Sequence, residues 1–95
     1  MKYLTIMAKF VIKEDAREIV SSELLNLVEP TRKEKGCADY IFYQDLEDPN
    51  VLMVYENWES LSDLDAHMNT DRFKNCFARI EGLYTIEVHR LSRID

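Results

Sequence analysis

The segment from Val51 to Trp58 alternates as a β-strand does, yet both of its faces carry apolar residues. Leu52, Val54 and Trp58 point one way, and Val51, Met53 and Tyr55 point the other. The segment from Tyr3 to Lys13 behaves alike: Leu4, Ile6, Ala8, Phe10 and Ile12 share one face, with Tyr3, Met7 and Val11 on the opposite one. An antiparallel sheet with one side in water reads apolar-in, polar-out. A sheet built from these strands has two sides to cover. The helical segments of a 95-residue chain can roof one of them and leave no residues over for the second. A second copy of the chain is the economical cover, so the pattern predicts a homodimer whose sheets pack face to face.

The remaining elements follow from periodicity and punctuation. Glu14 and Asp15 open a helix with acidic residues at its positive end. Its apolar stripe is Ala16, Ile19 or Val20, Leu24, Leu27, Val28 and Thr31. Pro30 cannot donate to the carbonyl of Asn26, which predicts a kink or an early end. The run Arg32-Lys33-Glu34-Lys35 reads as a solvated helix end, and Gly36 stops it. Asp39 to Leu46 is the second strand, and Glu47-Asp48-Pro49-Asn50 is a turn into the third. Ser60 caps a helix whose buried side holds Leu61, Leu64 and Met68, with His67 beside them. Thr70 or Asp71 caps another helix carrying Phe73, Phe77 and Ile80, which Gly82 ends. Tyr84 to Leu91 is the last strand. The fold class is α+β: a single domain over residues 1–95, ferredoxin-like β-α-β-β-α-α-β, with a four-stranded antiparallel sheet.

Composition excludes some functions. The formal net charge is −6, which opposes nucleic acid and anionic membrane surfaces. No apolar run is long enough to span a bilayer. The opening Met-Lys-Tyr-Leu-Thr-Ile-Met lacks the apolar core of a signal peptide. Cys37 and Cys76 are far apart and form no CxxC, so free thiols in a cytoplasmic protein are the expectation.

Certain residues point further when taken in order. Gly36-Cys37 before Tyr40, the Glu47-Asp48-Pro49 turn, Glu56-x-Trp58-Glu59-Ser60, then Leu64, His67 and Phe73 resemble the antibiotic biosynthesis monooxygenase (ABM) domain over nearly the whole chain. The resemblance implies a dimeric α+β barrel. It also implies one of several activities: cofactor-free oxygenation of quinols or anthrones, haem degradation, or isomerisation of a phosphorylated signal of the autoinducer-2 type. The haem-degrading branch has its iron-binding histidine close to Phe77 of this chain, so the axial ligand is missing here. Glu56-Asn57-Trp58-Glu59-Ser60 looks more like the quinol monooxygenase branch. Residues 72–81 look somewhat like the isomerase branch, whose phosphate would need Arg72, Lys74 or Arg79.

No Gly-rich phosphate loop, no HExxH and no Cys/His cluster of metal spacing occurs, so neither cofactor nor metal is expected. The substrate must then bring its own reactivity, as a quinol does once a base takes its proton. His67 is the candidate base, because a neutral imidazole near pH 7 has an acceptor nitrogen. Glu56 is the candidate orienter of His67, and Asn57 a candidate hydrogen-bond donor to a substrate oxygen. Trp58, Tyr55, Tyr43, Phe42, Phe73 and Phe77 are candidate walls for a small aromatic ligand. Each has a plainer reading: a histidine tying helix to sheet, an asparagine ending a strand, aromatics filling a core or an interface. A small-molecule-binding dimer without chemistry therefore stands beside the two enzymatic readings. His89, with Arg90 and Arg93 near it, reads as surface or interface.

Overall fold

The computed structural model describes residues 2–95. Strand β1 (Leu4–Ile12) leads through a 3-10 turn at Glu14–Ala16 into α1 (Arg17–Leu25) and α2 (Val28–Arg32). Strands β2 (Cys37–Gln44) and β3 (Val51–Trp58) follow, then α3 (Leu61–Met68), α4 (Asp71–Arg79) and β4 (Tyr84–Leu91). The sheet order is β2-β3-β1-β4, and every neighbouring pair is antiparallel. This is the ferredoxin-like α+β arrangement that the element order predicts.

Two boundaries differ from expectation. The first helix breaks at Asn26–Leu27, one turn before Pro30, and resumes as α2. Pro30 then sits in the first turn of the new helix, where a missing N–H costs nothing. Strand β2 begins at Cys37, with an irregularity between Cys37 and Asp39, and ends at Gln44. It ends there because the Asp45 carboxylate accepts from the amides of Glu47 and Asp48 and closes the turn.

All four helices lie on one face of the sheet. Ile6, Ala8, Phe10 and Ile12 of β1 are buried beneath them with Val20, Leu24 and Leu27. The buried helix position is Val20, whereas Ile19 is exposed, and Leu61 on α3 is exposed as well. The other face of the sheet carries Met7, Val11 and Tyr43 in exposed positions, with Met53 and Tyr55 half-buried. The two-sided apolar pattern is thus real in three dimensions.

Register organises the helix-covered face into rows. Tyr40, Glu56, Ile6 and Arg90 form one row across β2, β3, β1 and β4. Phe42, Val54, Ala8 and Val88 form the next. Alanine on the central strand leaves space there that a larger residue would fill.

Candidate active site: a helix-roofed cavity beside His67

The space above Ala8 is a cavity of about 110 Å³. The two rows just described are its floor, and Leu64, His67 and Met68 of α3 with Phe73 and Phe77 of α4 are its roof. Local sequence sets that roof. Ser60 Oγ accepts from the amide of Asp63 at 3.1 Å and starts α3. Thr70 Oγ1 accepts from the amide of Phe73 at 3.2 Å and starts α4. The same hydroxyl donates to the carbonyl of His67 at 2.8 Å, which pins the histidine end of α3 to the next helix.

His67 is 3% exposed. Its ring packs against Trp58, with centroids 4.8 Å apart, and edge-on to Phe73 at 5.1 Å and Tyr40 at 5.6 Å. Nδ1 meets Glu34 Oε1 at 2.7 Å, and Arg72 donates to the other oxygen of Glu34, also at 2.7 Å. The expected pairing of His67 with Glu56 is therefore corrected: the carboxylate on the imidazole is Glu34. Gly36 makes this possible. Its φ is +81°, and a Cβ there would meet the side chain of Asp63 on α3. That close approach brings Glu34 within reach of His67, one helical turn beyond Asp63. The solvated reading of Glu34 fails for the same reason. A lone acid in a basic run, just ahead of a glycine, was the signal for it.

Burial pulls the His67 pKa below the usual imidazole range, against the opposing pull of Glu34. The ring is neutral near pH 7. A carboxylate at Nδ1 selects the tautomer with its proton there and leaves Nε2 as an acceptor. Among the described residues the hydrogen bond found on the His67 ring is the one at Nδ1, and Nε2 is left on the cavity side.

Glu56 lines the same cavity, and its Oε1 accepts from the Trp58 indole N–H at 2.8 Å. Burial raises its pKa to about 7, Trp58 lowers it, and the Glu34 charge raises it. Tyr40 is pushed far above its ordinary value by burial, with Glu56 adding to the effect, so it stays a neutral phenol. The cavity thus holds a neutral base, a carboxyl with a pKa near 7, a phenolic donor and the Arg90 side chain on otherwise apolar walls. This is a set able to take a proton from a small ligand and return one.

The other expected site residues divide. Phe42, Phe73 and Phe77 line the cavity. Trp58 does not: it is 0% exposed and stands behind His67. Asn57, Tyr55 and Tyr43 lie on the opposite face of the sheet, because the pleat that turns Glu56 and Trp58 toward the helices turns their neighbours away. Asn57 is fully engaged there: its Oδ1 accepts from Thr5 at 2.5 Å, and its Nδ2 donates to Asp39 at 2.9 Å and to the Tyr55 hydroxyl at 2.7 Å. A wider groove of about 760 Å³ runs along that face past Lys2, Thr5, Tyr55 and Arg93, with no histidine in it. Of the cations considered for a phosphate, Arg72 is held by Glu34 and Arg79 by Glu23. No cluster of three or more metal-binding side chains occurs among the described residues.

Fold and site together define a small α+β domain with an apolar chamber beside an oriented imidazole. The sequence profile of the antibiotic biosynthesis monooxygenase family matches residues 3–79, and the chain belongs to that family. A Mycobacterium tuberculosis protein named "Putative monooxygenase Rv0793" is 30% identical over 86% of this chain and 80% of its own length. Its solved structure superposes with a TM-score of 0.90 over 98% of this chain and 96% of that one. A Pseudomonas aeruginosa protein, PA3566, superposes at 0.95 with 29% identity, over 100% of this chain and 97% of that one. An Escherichia coli protein named "Probable quinol monooxygenase YgiN" is 26% identical over 83% of this chain and 86% of its own length. A Synechocystis relative, 30% identical over 74% of this chain, is longer, and the match spans 48% of it.

Proposed function

We propose that the protein is a cofactor-independent monooxygenase of a small quinol-like aromatic substrate, with His67 as the base. The observation that carries this reading is the Glu34–His67 pair: a neutral imidazole held by a carboxylate at Nδ1, with its Nε2 on the side of an apolar cavity. Family membership and the E. coli relative's name support the choice of reaction.

The chemistry balances without any further reductant. His67 takes a phenolic proton, and the electron-rich ring reduces oxygen and forms a carbon–oxygen bond to it. The distal peroxide oxygen takes the proton of Glu56. Loss of the ring C–H proton then breaks the O–O bond, expels water and leaves a carbonyl. The proton held on His67 restores Glu56. Hydroquinone plus oxygen thus becomes a hydroxyquinone plus water. Tyr40, neutral and beside both groups, donates to the phenolate as it forms.

The protein works as a homodimer joined through the open sheet faces, on this reading. The exposed Met7, Val11 and Tyr43 support it, since they share one face of the sheet with half-buried Met53 and Tyr55. No helix among the described residues is long and apolar enough to cross a membrane. Cys37 and Cys76 are unbridged, with thiols pushed up to about 11 mainly by burial.

The test is oxygen uptake by metal-free protein supplied with a hydroquinone. His67→Ala lowers the rate by about 10²–10⁴-fold while circular dichroism shows the fold intact. Equal turnover by the variant and the parent removes His67 from the mechanism.

A further inference from the structure

We propose that Arg90 selects the substrate, and that this substrate is a single-ring aromatic carboxylate held with its acid on Arg90 and its reacting hydroxyl at His67. The assignment rests on the monooxygenase reading for the reacting hydroxyl; the carboxylate is argued from the cavity alone.

The sheet register places Arg90 on the cavity floor. It shares a row with Ile6, Glu56 and Tyr40, on the helix-covered face. It lines the cavity and is the one arginine or lysine among the described residues that does so. Arg32, Arg72, Arg79 and Arg93 each have a carboxylate partner, whereas Arg90 has none within ion-pair distance among the described residues. Arg90 is exposed at the edge-strand end of the cavity, and its planar guanidinium fits a carboxylate two bonds at a time. Glu56, in the same row, makes no ion pair with it and bonds instead to the Trp58 N–H.

Size and spacing narrow the ligand. Arg90 and Glu56 stand two strands apart in their row, roughly 10 Å at the backbone. The volume of about 110 Å³ is of the order of an engineered cavity of about 150 Å³ that takes up benzene. Charge at one end and proton transfer at the other then fix which way the ring enters.

The experiment is calorimetric titration under argon with 2,5-dihydroxybenzoate and its neutral counterpart 2,5-dihydroxybenzamide, on the parent and on Arg90→Gln. The acid binds the parent about 10-fold or more tightly than the amide, and Arg90→Gln removes that preference while leaving amide binding unchanged. Arg90→Lys keeps part of the preference. Equal affinities in the parent, a preference that survives Arg90→Gln, or displacement of the acid by dihydroxyacetone phosphate at lower concentration each overturn the proposal. Oxygen uptake separates the two readings. Turnover of unsubstituted hydroquinone at the same kcat/KM as the acid overturns the role of Arg90 and leaves the monooxygenase standing. An acid preference with no oxygen uptake from any hydroquinone supports Arg90 as the anion-binding group and overturns the reaction.

Discussion

At the scale of single residues, the molecule concentrates its buried ionisable groups around one cavity. Glu34 has the oxygens to hold both His67 and Arg72, and in the proposed mechanism it positions the imidazole. Glu34→Gln allows the amide to donate to Nδ1 and so places the proton on Nε2, the wrong nitrogen for a base. A drop in kcat of about 10²-fold is expected, larger than any change in KM, and steady-state oxygen uptake measures it. Glu56 carries a pH signature of its own. Its folded pKa of about 7 stands above the ordinary carboxylate value of 4.5, so folding favours its protonated form. The associated stability is full below about pH 4.5, is lost as pH rises and is gone above about pH 7, a difference of about 3 kcal/mol. Glu56→Gln keeps an acceptor for the Trp58 N–H and removes the titration. Urea unfolding at pH 5 and pH 8 therefore shows a stability gain from this substitution at pH 8 that is mostly absent at pH 5. His67 acts in the opposite direction: its lowered pKa withdraws stability as pH falls below about 6.5.

At the scale of elements, the site depends on where helices start and stop. Gly36 and Gly82 both have φ near +80°, but only at Gly36 is a neighbour in the way. Gly82→Ala meets open space and costs about 1 kcal/mol for the left-handed backbone alone. Gly36→Ala adds a collision with Asp63, displaces α3 from Glu34, and costs roughly 2 kcal/mol or more with loss of activity. Denaturant midpoints of the two variants, measured side by side, check this order. The strands and the capped starts of α3 and α4 were legible, because alternation and hydroxyl caps act within a few residues; the interruption near Pro30 was expected but falls one turn earlier, at Asn26–Leu27. The exposure of Ile19 and Leu61 was not, because the edge of an apolar stripe is set by the width of the surface it lands on.

At the scale of the whole molecule, the open face of the sheet is the unmet demand. Sedimentation equilibrium of the parent gives a dimer, and Met7→Glu, which puts charge into the middle of that face opposite Tyr55 and His89, gives a monomer that still folds. A parent that sediments as a monomer removes the paired-sheet arrangement. Across the chain, the sequence by itself determined the element order, the α+β class and which residues share a face. Periodicity is a local property, and the burial of one side of each element enforces it. Only the tertiary structure decided which groups meet. Glu34 reaches His67 across 33 residues, and Arg90 shares a row with Glu56 through the intervening strand β1. Asn57, Tyr55 and Tyr43 look as suitable for a site as their neighbours do until the helices are laid on one face of the sheet and not the other. Pairings of that kind depend on loop geometry and strand register, which place side chains in space without leaving a repeat in the order of the residues.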